Sequence, residues 1–337
     1  MKNKIIYLLG YKSGHTHTYP QLRFNEVLSF LGEDVRWVNI EEVDPNTSNR
    51  VFICWDQPNA NELVEKGIYK KGDIILQKVT ALVPAYKDHS YLNWGTSKQS
   101  VLNFFNTIEW SAYQMITNLL NQGVNIYGFG CKTKYKEFIT KRKLVEPLLK
   151  DKRLFYHPWG PSLYTKKELD DSKPIVNSFD YDIGYVGSIW GINGRGNVDT
   201  ISNFLSPLVK DKICAIAGRG TQIGEVSNDQ HEEILKKSKL CPIVNALVWN
   251  IEGGVQDRFW SVFASGRFGV VDNDGVYEFF NEDEVVCETS AENYIEKSNY
   301  FIKNPEKQLP YIEKILSRIK SEYNWYHTWH TILKNIK

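Results

Sequence analysis

The sequence contains the stretch Asp182-Ile183-Gly184-Tyr185-Val186-Gly187-Ser188, an apolar segment that ends in glycine and serine. We predict a strand over Asp182–Gly187 and a glycine-rich loop over Ser188–Gly196. Ligands of α/β sheets bind beyond the carboxyl ends of the strands, so this loop is where a ligand is expected. The dinucleotide fingerprint G-x-G-x-x-G is absent after the strand, which disfavours a dinucleotide-dependent epimerase or dehydrogenase.

Strand-like and helix-like segments alternate on both sides of this stretch, which is typical of parallel sheets with crossover helices. The further predicted strands are Ile5–Leu9, Val35–Ile40, Val51–Trp55, Ile74–Val83, Val124–Phe129, Ile213–Ala217, Cys241–Leu247, Phe268–Val271 and Val285–Cys287. The predicted helices include Pro20–Leu31, Glu109–Asn121, Lys134–Lys150, Gln230–Lys237, Ala291–Ile302 and Leu309–Lys337, with further apolar stripes over 201–208 and 255–263. Since 337 residues are about twice the usual length of one domain, we predict two Rossmann-like domains that face one another across a cleft.

Charge and composition restrict the partners. Because 41 Lys and Arg balance 40 Asp and Glu, the net charge of +1 creates no global field that attracts nucleic acid, and we expect no nucleic-acid partner. No apolar run approaches the length of a membrane span, so a soluble protein is expected. The five cysteines stand singly, which favours a reducing cytoplasm over a disulfide framework or a metal knuckle.

The strongest local motif is Gly253-Gly254-Val255-Gln256-Asp257-Arg258, which places glycines and then an arginine at the start of a predicted helix. The unpaired N–H groups and the dipole of a helix N-terminus bind anions, and glycine lets a diphosphate approach the backbone. The guanidinium of Arg258 matches phosphate oxygens. The alternative is a capped helix with a surface arginine.

Two more loops follow predicted strands and are candidates for binding a phosphate or a sugar through backbone donors. The first contains Gly187, Ser188 and Arg195, and the second is Gly218-Arg219-Gly220. A hinge or a tight turn is the alternative for both loops.

The order of these motifs resembles a known family. A strand led by aspartate ends in Val-Gly-Ser at Ser188, a later strand ends in Gly218, a lysine-rich helix precedes a strand that ends in Asn245, and Arg258 precedes Ala264-Ser265-Gly266. Over about residues 155–335 this pattern is similar to the C-terminal domain of bacterial CgeB-like (spore maturation protein) glycosyltransferases, which belong to the GT-B superfamily.

The resemblance implies a GT-B fold and transfer of a sugar from a nucleoside-diphosphate donor to a hydroxyl acceptor. It implies an acceptor-binding domain over 1–160, a linker over 161–180, a nucleotide-sugar-binding domain over 181–320 and a terminal helix over 321–337 that packs back on the first domain. The family's glutamate, expected to hold the donor ribose, falls on Ser261. A serine hydroxyl can also bind a hydroxyl, but this departure leaves an unusual donor open.

The first half offers candidates for the acceptor side. The loop after the first strand contains Gly14, His15 and His17, and a histidine there can take the acceptor hydroxyl's proton because its ordinary pKa lies near neutral pH. Asp56, after the strand Val51–Trp55, is the other candidate base. A solvated loop histidine and a turn-forming aspartate are the alternatives. Retention of the anomeric configuration would need neither base.

We expect no metal and no other cofactor. The pair of acids in Asp272-Asn273-Asp274 predicts a turn before Gly275, since a short acidic pair lacks the other oxygen ligands that Mg²⁺ needs. Arg258 and the helix N-terminus would then stabilise the leaving diphosphate. A catalytically silent module that binds a nucleotide or a glycan remains the alternative function, and Ser261 keeps it open.

Overall fold

The computed structural model describes most of the chain. The described residues are 4–12, 18–55, 60–78, 115–131, 148, 150–157, 160–192, 195–246, 249–250 and 254–336. Only the backbone is described for 131, 156, 192 and 195.

The first half forms a six-stranded sheet whose strands are all parallel. The strands are β1 Ile5–Leu9, β2 Asp34–Val38, β3 Arg50–Cys54, β4 Ile74–Lys78, β5 Ile126–Cys131 and β6 Leu154–His157, in the spatial order β2-β1-β3-β4-β5-β6. Every residue of β3 and β4 is buried, as expected for central strands that are covered on both faces. The helices α1 Thr18–Phe30 and α2 Ala60–Glu65 and the helical residues 115–121 connect these strands.

The predicted elements of this half are confirmed where the structure describes them. Strand Ile5–Leu9 has the predicted bounds, and the predicted strand Val35–Ile40 ends two residues early because Ile40 begins a 3₁₀ turn. The predicted helix Lys134–Lys150 lies almost entirely outside the described residues.

The second half contains a smaller parallel sheet. Its strands are β7 Tyr181–Val186, β10 Cys214–Ala217 and β11 Ser238–Leu240, in the order β10-β7-β11, and a short hairpin of β8 Gly191–Ile192 and β9 Arg195–Gly196 follows β7. The predicted strand Cys241–Leu247 is wrong in its position, since the ladder of β11 ends at Leu240. Pro242 has no N–H to donate, and beyond it the chain pairs with Val271 only through a single bridge at Ile243.

The helices of this half surround that sheet. They are α3 Lys166–Asp171, α4 Val198–Thr200, a π-helix Ile201–Leu205, α5 Ser206–Val209, α6 Asn228–Lys236, α7 Asp257–Ala264, α8 Ala291–Lys303, α9 Leu309–Ser321 and α10 Trp325–Asn335. Short 3₁₀ helices cover Asp274–Glu278 and Pro305–Gln308.

The last helix, α10, packs on the core of the first half. Trp325 and Trp329 place their rings 4.6 and 4.9 Å from the ring of Phe24 in α1, and Trp329 also lies 5.8 Å from Phe129 in β5. This crossing agrees with the predicted packing of the terminal helix on the first half. The exact domain boundaries stay predictions. Within the described parts of the chain, no helix combines the length and apolarity needed to cross a membrane.

Candidate functional site

Two glycine-containing loops meet at the carboxyl edge of the smaller sheet. Gly187 donates its N–H to the carbonyl of Ala217 at 2.9 Å, and Ile189 donates to the carbonyl of Arg219 at 2.8 Å. Gly218 has a φ of 123°, and a Cβ there would lie 2.4 Å from the carbonyl oxygen of Gly187. The loops therefore touch backbone to backbone, which only glycine permits at position 218.

Asn197 fixes the first of these loops. Its Nδ2 donates to the carbonyl of Ser188 at 2.9 Å, and its Oδ1 accepts from the N–H of Trp190 at 3.0 Å. Sequence reasoning missed this residue, although an asparagine between a glycine-rich loop and an apolar helix is a recognisable signal.

Arg258 lies in the first turn of α7, and its guanidinium lies between the end of β7 and the segment that follows β11. Nε donates to the carbonyl of Val186 at 3.4 Å, Nη1 donates to the carbonyl of Val244, and the guanidinium carbon stands 4.4 Å above the ring of Tyr185. A Cβ on Gly187 would lie only 2.1 Å from Nη2, so the absence of a side chain there makes room for the guanidinium.

These contacts orient Arg258 before any ligand arrives. Two of the five N–H donors of the guanidinium are used by carbonyls in the described chain, which leaves the others for an anion. The hydroxyl of Tyr185 has no hydrogen-bond partner in the described chain and would lie 3.2 Å from a Cβ on Gly187. The arrangement can therefore bind a phosphate at the ends of the strands.

A buried carboxylate, Asp272, lies close enough to Arg258 to interact with its charge. Asp272 accepts from the backbone N–H of Asn245 at 2.9 Å, from Nδ2 of Asn245 at 2.6 Å and from Nδ2 of Asn250 at 3.2 Å. Burial raises the pKa of Asp272 to about 6, against the opposing effects of these donors and of Arg258. The predicted turn at 272–274 is confirmed, since the side chain of Asn273 accepts from the N–H of Gly275 at 2.8 Å.

His231, on α6, is a further residue that sequence reasoning missed. Burial, followed by the positive charge of Arg258, lowers the pKa of His231 to about 4. Its imidazole is therefore neutral at pH 7 and adds no second positive charge beside the guanidinium.

Ser261 is buried in α7 and forms its hydrogen bond within that helix. It is 1% exposed, and its Oγ donates to Asp257 at 3.1 Å. Asp257 also accepts from the N–H of Ser162 at 2.9 Å, and the carbonyl of Ser162 accepts from Nε of Arg23 in α1 at 3.1 Å. Ser261 thus belongs to a chain of hydrogen bonds that joins the two halves, and its assignment to the donor stays a prediction.

The other predicted site residues divide into two groups. The structure places Gly187, Ser188, Gly218, Arg219, Asn245, Gly254 and Arg258 at or near the carboxyl edge of the smaller sheet. Gly14, His15, His17, Asp56 and Gly253 lie outside the described residues, and only the backbone of Arg195 is described. Binding and catalytic roles for all of them remain predictions.

On the predicted acceptor side, a cation lies beside an aromatic ring at the edge of the larger sheet. The ammonium of Lys78, at the end of β4, lies 3.7 Å from the ring centroid of Trp55, which directly follows β3. Gln77 donates to the carbonyl of Trp55 and accepts from the N–H of Ala60 at 2.8 Å. The segment that leads to the predicted base Asp56 is therefore held by buried contacts.

Comparisons with known proteins agree with this architecture. A family model described as glycosyl transferase-like matches residues 198–334, a range that includes Arg258. A crystal structure of a β-glucosyltransferase, described as a DNA-modifying enzyme with the substrate uridine diphosphoglucose, matches with a TM-score of 0.57 and 13% identity over 98% of this chain and 100% of that chain. The chain has the GT-B fold.

Two further structures share the fold. An α-glucosyltransferase in complex with UDP and a 13-mer DNA that contains an HMU base has a TM-score of 0.51 and 12% identity, over 98% of this chain and 99% of that chain. An α-glucosyltransferase in complex with UDP has a TM-score of 0.51 and 11% identity, over 99% of both chains. No curated protein sequence matches the chain. The description of the matched family model does not name the CgeB-like group, so membership of that group stays a prediction.

The expectation of no nucleic-acid partner is wrong. Structures with this fold are described as a DNA-modifying enzyme and as a complex with DNA. A net charge of +1 sums over the whole chain, so it does not exclude a local surface that binds a polyanion.

Proposed function

We propose that the protein is a glycosyltransferase that moves a hexose from a nucleoside-diphosphate donor to a hydroxyl acceptor. The single observation that carries the proposal is the guanidinium of Arg258, held between the carbonyls of Val186 and Val244 above a glycine at the carboxyl edge of a parallel sheet. The matching glycosyl transferase-like model and the GT-B fold support it.

We propose uridine as the nucleoside of the donor and independence from metal ions. UDP or uridine diphosphoglucose is named with each of the three structures described above. When the sugar leaves, negative charge develops on the diphosphate, and the free N–H groups of Arg258 and the N-terminus of α7 can stabilise it. Arg258 thereby supplies the charge that a divalent cation supplies in other transferases.

We propose that the acceptor is bound by the first half, with His17 or Asp56 as the base if the reaction inverts the anomeric carbon. In the sequence His17 follows β1 and Asp56 follows β3. Trp55 and Lys78, at the ends of β3 and β4, lie at the carboxyl edge of the same sheet. DNA that contains an HMU base is the first acceptor to test, because a structure of the same fold contains it.

We propose a cytoplasmic location because Cys54, Cys214 and Cys241 form no disulfide.

Thermal-shift measurements test the donor site. The protein is screened with UDP, GDP, dTDP, ADP and CMP, and we expect UDP to raise the melting temperature. The increase should be the same in Mg²⁺ and in EDTA. At a hundred times its dissociation constant a ligand adds about 2.7 kcal/mol of stability. Arg258→Ala should reduce the shift to about half or less, because a tenfold weaker ligand at the same concentration adds only about 1.4 kcal/mol. Arg36→Ala, at an exposed position in the first half, should keep the full shift. An unchanged shift in Arg258→Ala would overturn the proposed site.

Product formation tests the activity. Incubation with UDP-glucose and HMU-containing DNA should give a glucosylated product by mass spectrometry, and other hydroxyl acceptors follow if DNA is not used. If the protein binds the nucleotide but neither transfers the sugar to any acceptor nor hydrolyses the donor, the silent binding module is favoured.

A further inference from the structure

Two asparagine side chains have their amide groups oriented by one carboxylate, Asp272. Asn245 and Asn250 both donate Nδ2 to Asp272, at 2.6 and 3.2 Å. A carboxylate accepts hydrogen bonds and does not donate them, so the amide nitrogens must face Asp272 and the amide oxygens must face elsewhere.

Those amide oxygens are unsatisfied in the part of the chain that the structure describes. Within the described chain, neither Oδ1 of Asn245 nor Oδ1 of Asn250 has a hydrogen-bond partner, and both atoms are buried. Asn245 is 2% exposed. Leaving a buried acceptor unsatisfied is unfavourable, and native structures that contain such atoms usually satisfy them with a ligand or an ordered water.

The position of the pair indicates the ligand. Asn245 directly follows Val244, whose carbonyl accepts from Arg258, and the charge of Arg258 also acts on Asp272. A group that binds next to a diphosphate held by Arg258 is either the ribose or the transferred sugar. Both carry hydroxyl groups, which donate the hydrogen bonds that amide oxygens accept.

We propose that Asn245 and Asn250 form a hydroxyl-binding subsite of the donor, oriented by Asp272. The inference rests on the proposed function, since it requires a nucleotide sugar at Arg258. It also identifies Asn250 as a binding residue and Asp272 as a positioning residue, neither of which the sequence motifs indicated.

Calorimetric titration of the full chain tests the subsite with four probes: UDP-glucose, UDP, 2′-deoxy-UDP and 3′-deoxy-UDP. The variants are Asn250→Ala, at a half-buried position, and Asn245→Ala, with Asn335→Ala at an exposed position of α10 as the matched control. Loss of one hydroxyl hydrogen bond should weaken binding about three- to tenfold. If Asn245→Ala does not fold, Asn250→Ala decides alone.

The pattern of losses distinguishes the two hydroxyl sources. A loss for UDP-glucose with unchanged UDP affinity assigns the subsite to the transferred sugar. A loss for UDP that is absent for one deoxy-UDP assigns it to the ribose hydroxyl which that analogue lacks. Equal losses for all four probes, or affinities equal to wild type in both variants, overturn the inference.

The proposed function fails separately. If the wild-type protein binds no probe, the donor site and the subsite are both overturned. If the wild-type protein binds UDP, Arg258→Ala loses it and the asparagine variants behave as wild type, the donor site stands and only the subsite falls.

Discussion

Replacing Gly187 with alanine is expected to displace Arg258 without direct damage to the backbone. The φ of Gly187 does not lie in the left-handed region, so alanine can adopt the same conformation. Its methyl group would lie 2.1 Å from Nη2 and 3.1 Å from Cζ of Arg258, which is far inside van der Waals contact. The guanidinium must therefore move from the carbonyls of Val186 and Val244.

The magnitude follows from the bonds that this movement breaks. A hydrogen bond from a charged donor contributes about 1.5–3 kcal/mol. If the displaced Arg258 loses one such bond to the diphosphate, the affinity for UDP falls between about tenfold and somewhat more than a hundredfold. The loss should be similar in size to that of Arg258→Ala, since both variants remove the same contact.

A double-mutant cycle with UDP titration checks this explanation. In an Arg258→Ala background the new methyl group has no guanidinium to displace, so Gly187→Ala should add little to the loss. The expected coupling between the two positions therefore equals the loss in Gly187→Ala alone, about 1.5–3 kcal/mol. Additive losses, or a Gly187→Ala protein that binds UDP as the wild type does, would refute the proposed packing of Arg258 on Gly187.

Three other predictions concern stability and the loop. Burial raises the folded pKa of Asp272 to about 6 from 3.8, so its ionisation destabilises the fold by about 3 kcal/mol above pH 6 and by only about 1 kcal/mol at pH 4.5. In urea unfolding, the free energy of unfolding of wild type relative to Asp272→Asn should therefore rise by about 2 kcal/mol between pH 7 and pH 4.5, and a pH-independent difference would contradict this. Trp329→Ala should lower the free energy of unfolding by about 3–5 kcal/mol because it empties a fully buried site, whereas exposed His330→Ala should change it little, and equal effects would count against the packing of α10. Asn197→Ala leaves the carbonyl of Ser188 and the N–H of Trp190 without that side chain and should speed hydrogen exchange at Trp190, which an unchanged exchange rate would disprove.

Much of the fold could be predicted because buried parallel strands have continuous apolar sequences. Strand Ile5–Leu9 has the bounds that its sequence indicates. The end of β11 could not be predicted, because Cys241 and Ile243 are apolar, as residues of a buried strand are. Both are in fact buried, although they lie beyond the strand. Pro242 ends the ladder between them, and the segment pairs instead through one bridge to Val271.

The site was predictable where one short segment contains the signal. Glycines followed by Arg258 at a helix start indicated an anion site, and the structure places that arginine at the strand ends. The partners of Asp272 were not predictable, since Asn245 lies 27 residues earlier in the chain. Ser261 donates to Asp257, and Asp257 in turn accepts from Ser162. Asp257 and Ser162 are far apart in the sequence, and only the fold brings them into contact.

The packing of α10 also has a consequence for how the chain acquires its structure during synthesis. Phe24 and Trp329 touch across about 300 residues of sequence, so the core of the first half is incomplete while the ribosome is still making the second. The apolar surface around Phe24 then stays open to chaperones or to other nascent chains. A fragment that contains the first sheet alone should aggregate, and adding residues 325–336 back as a peptide should rescue it.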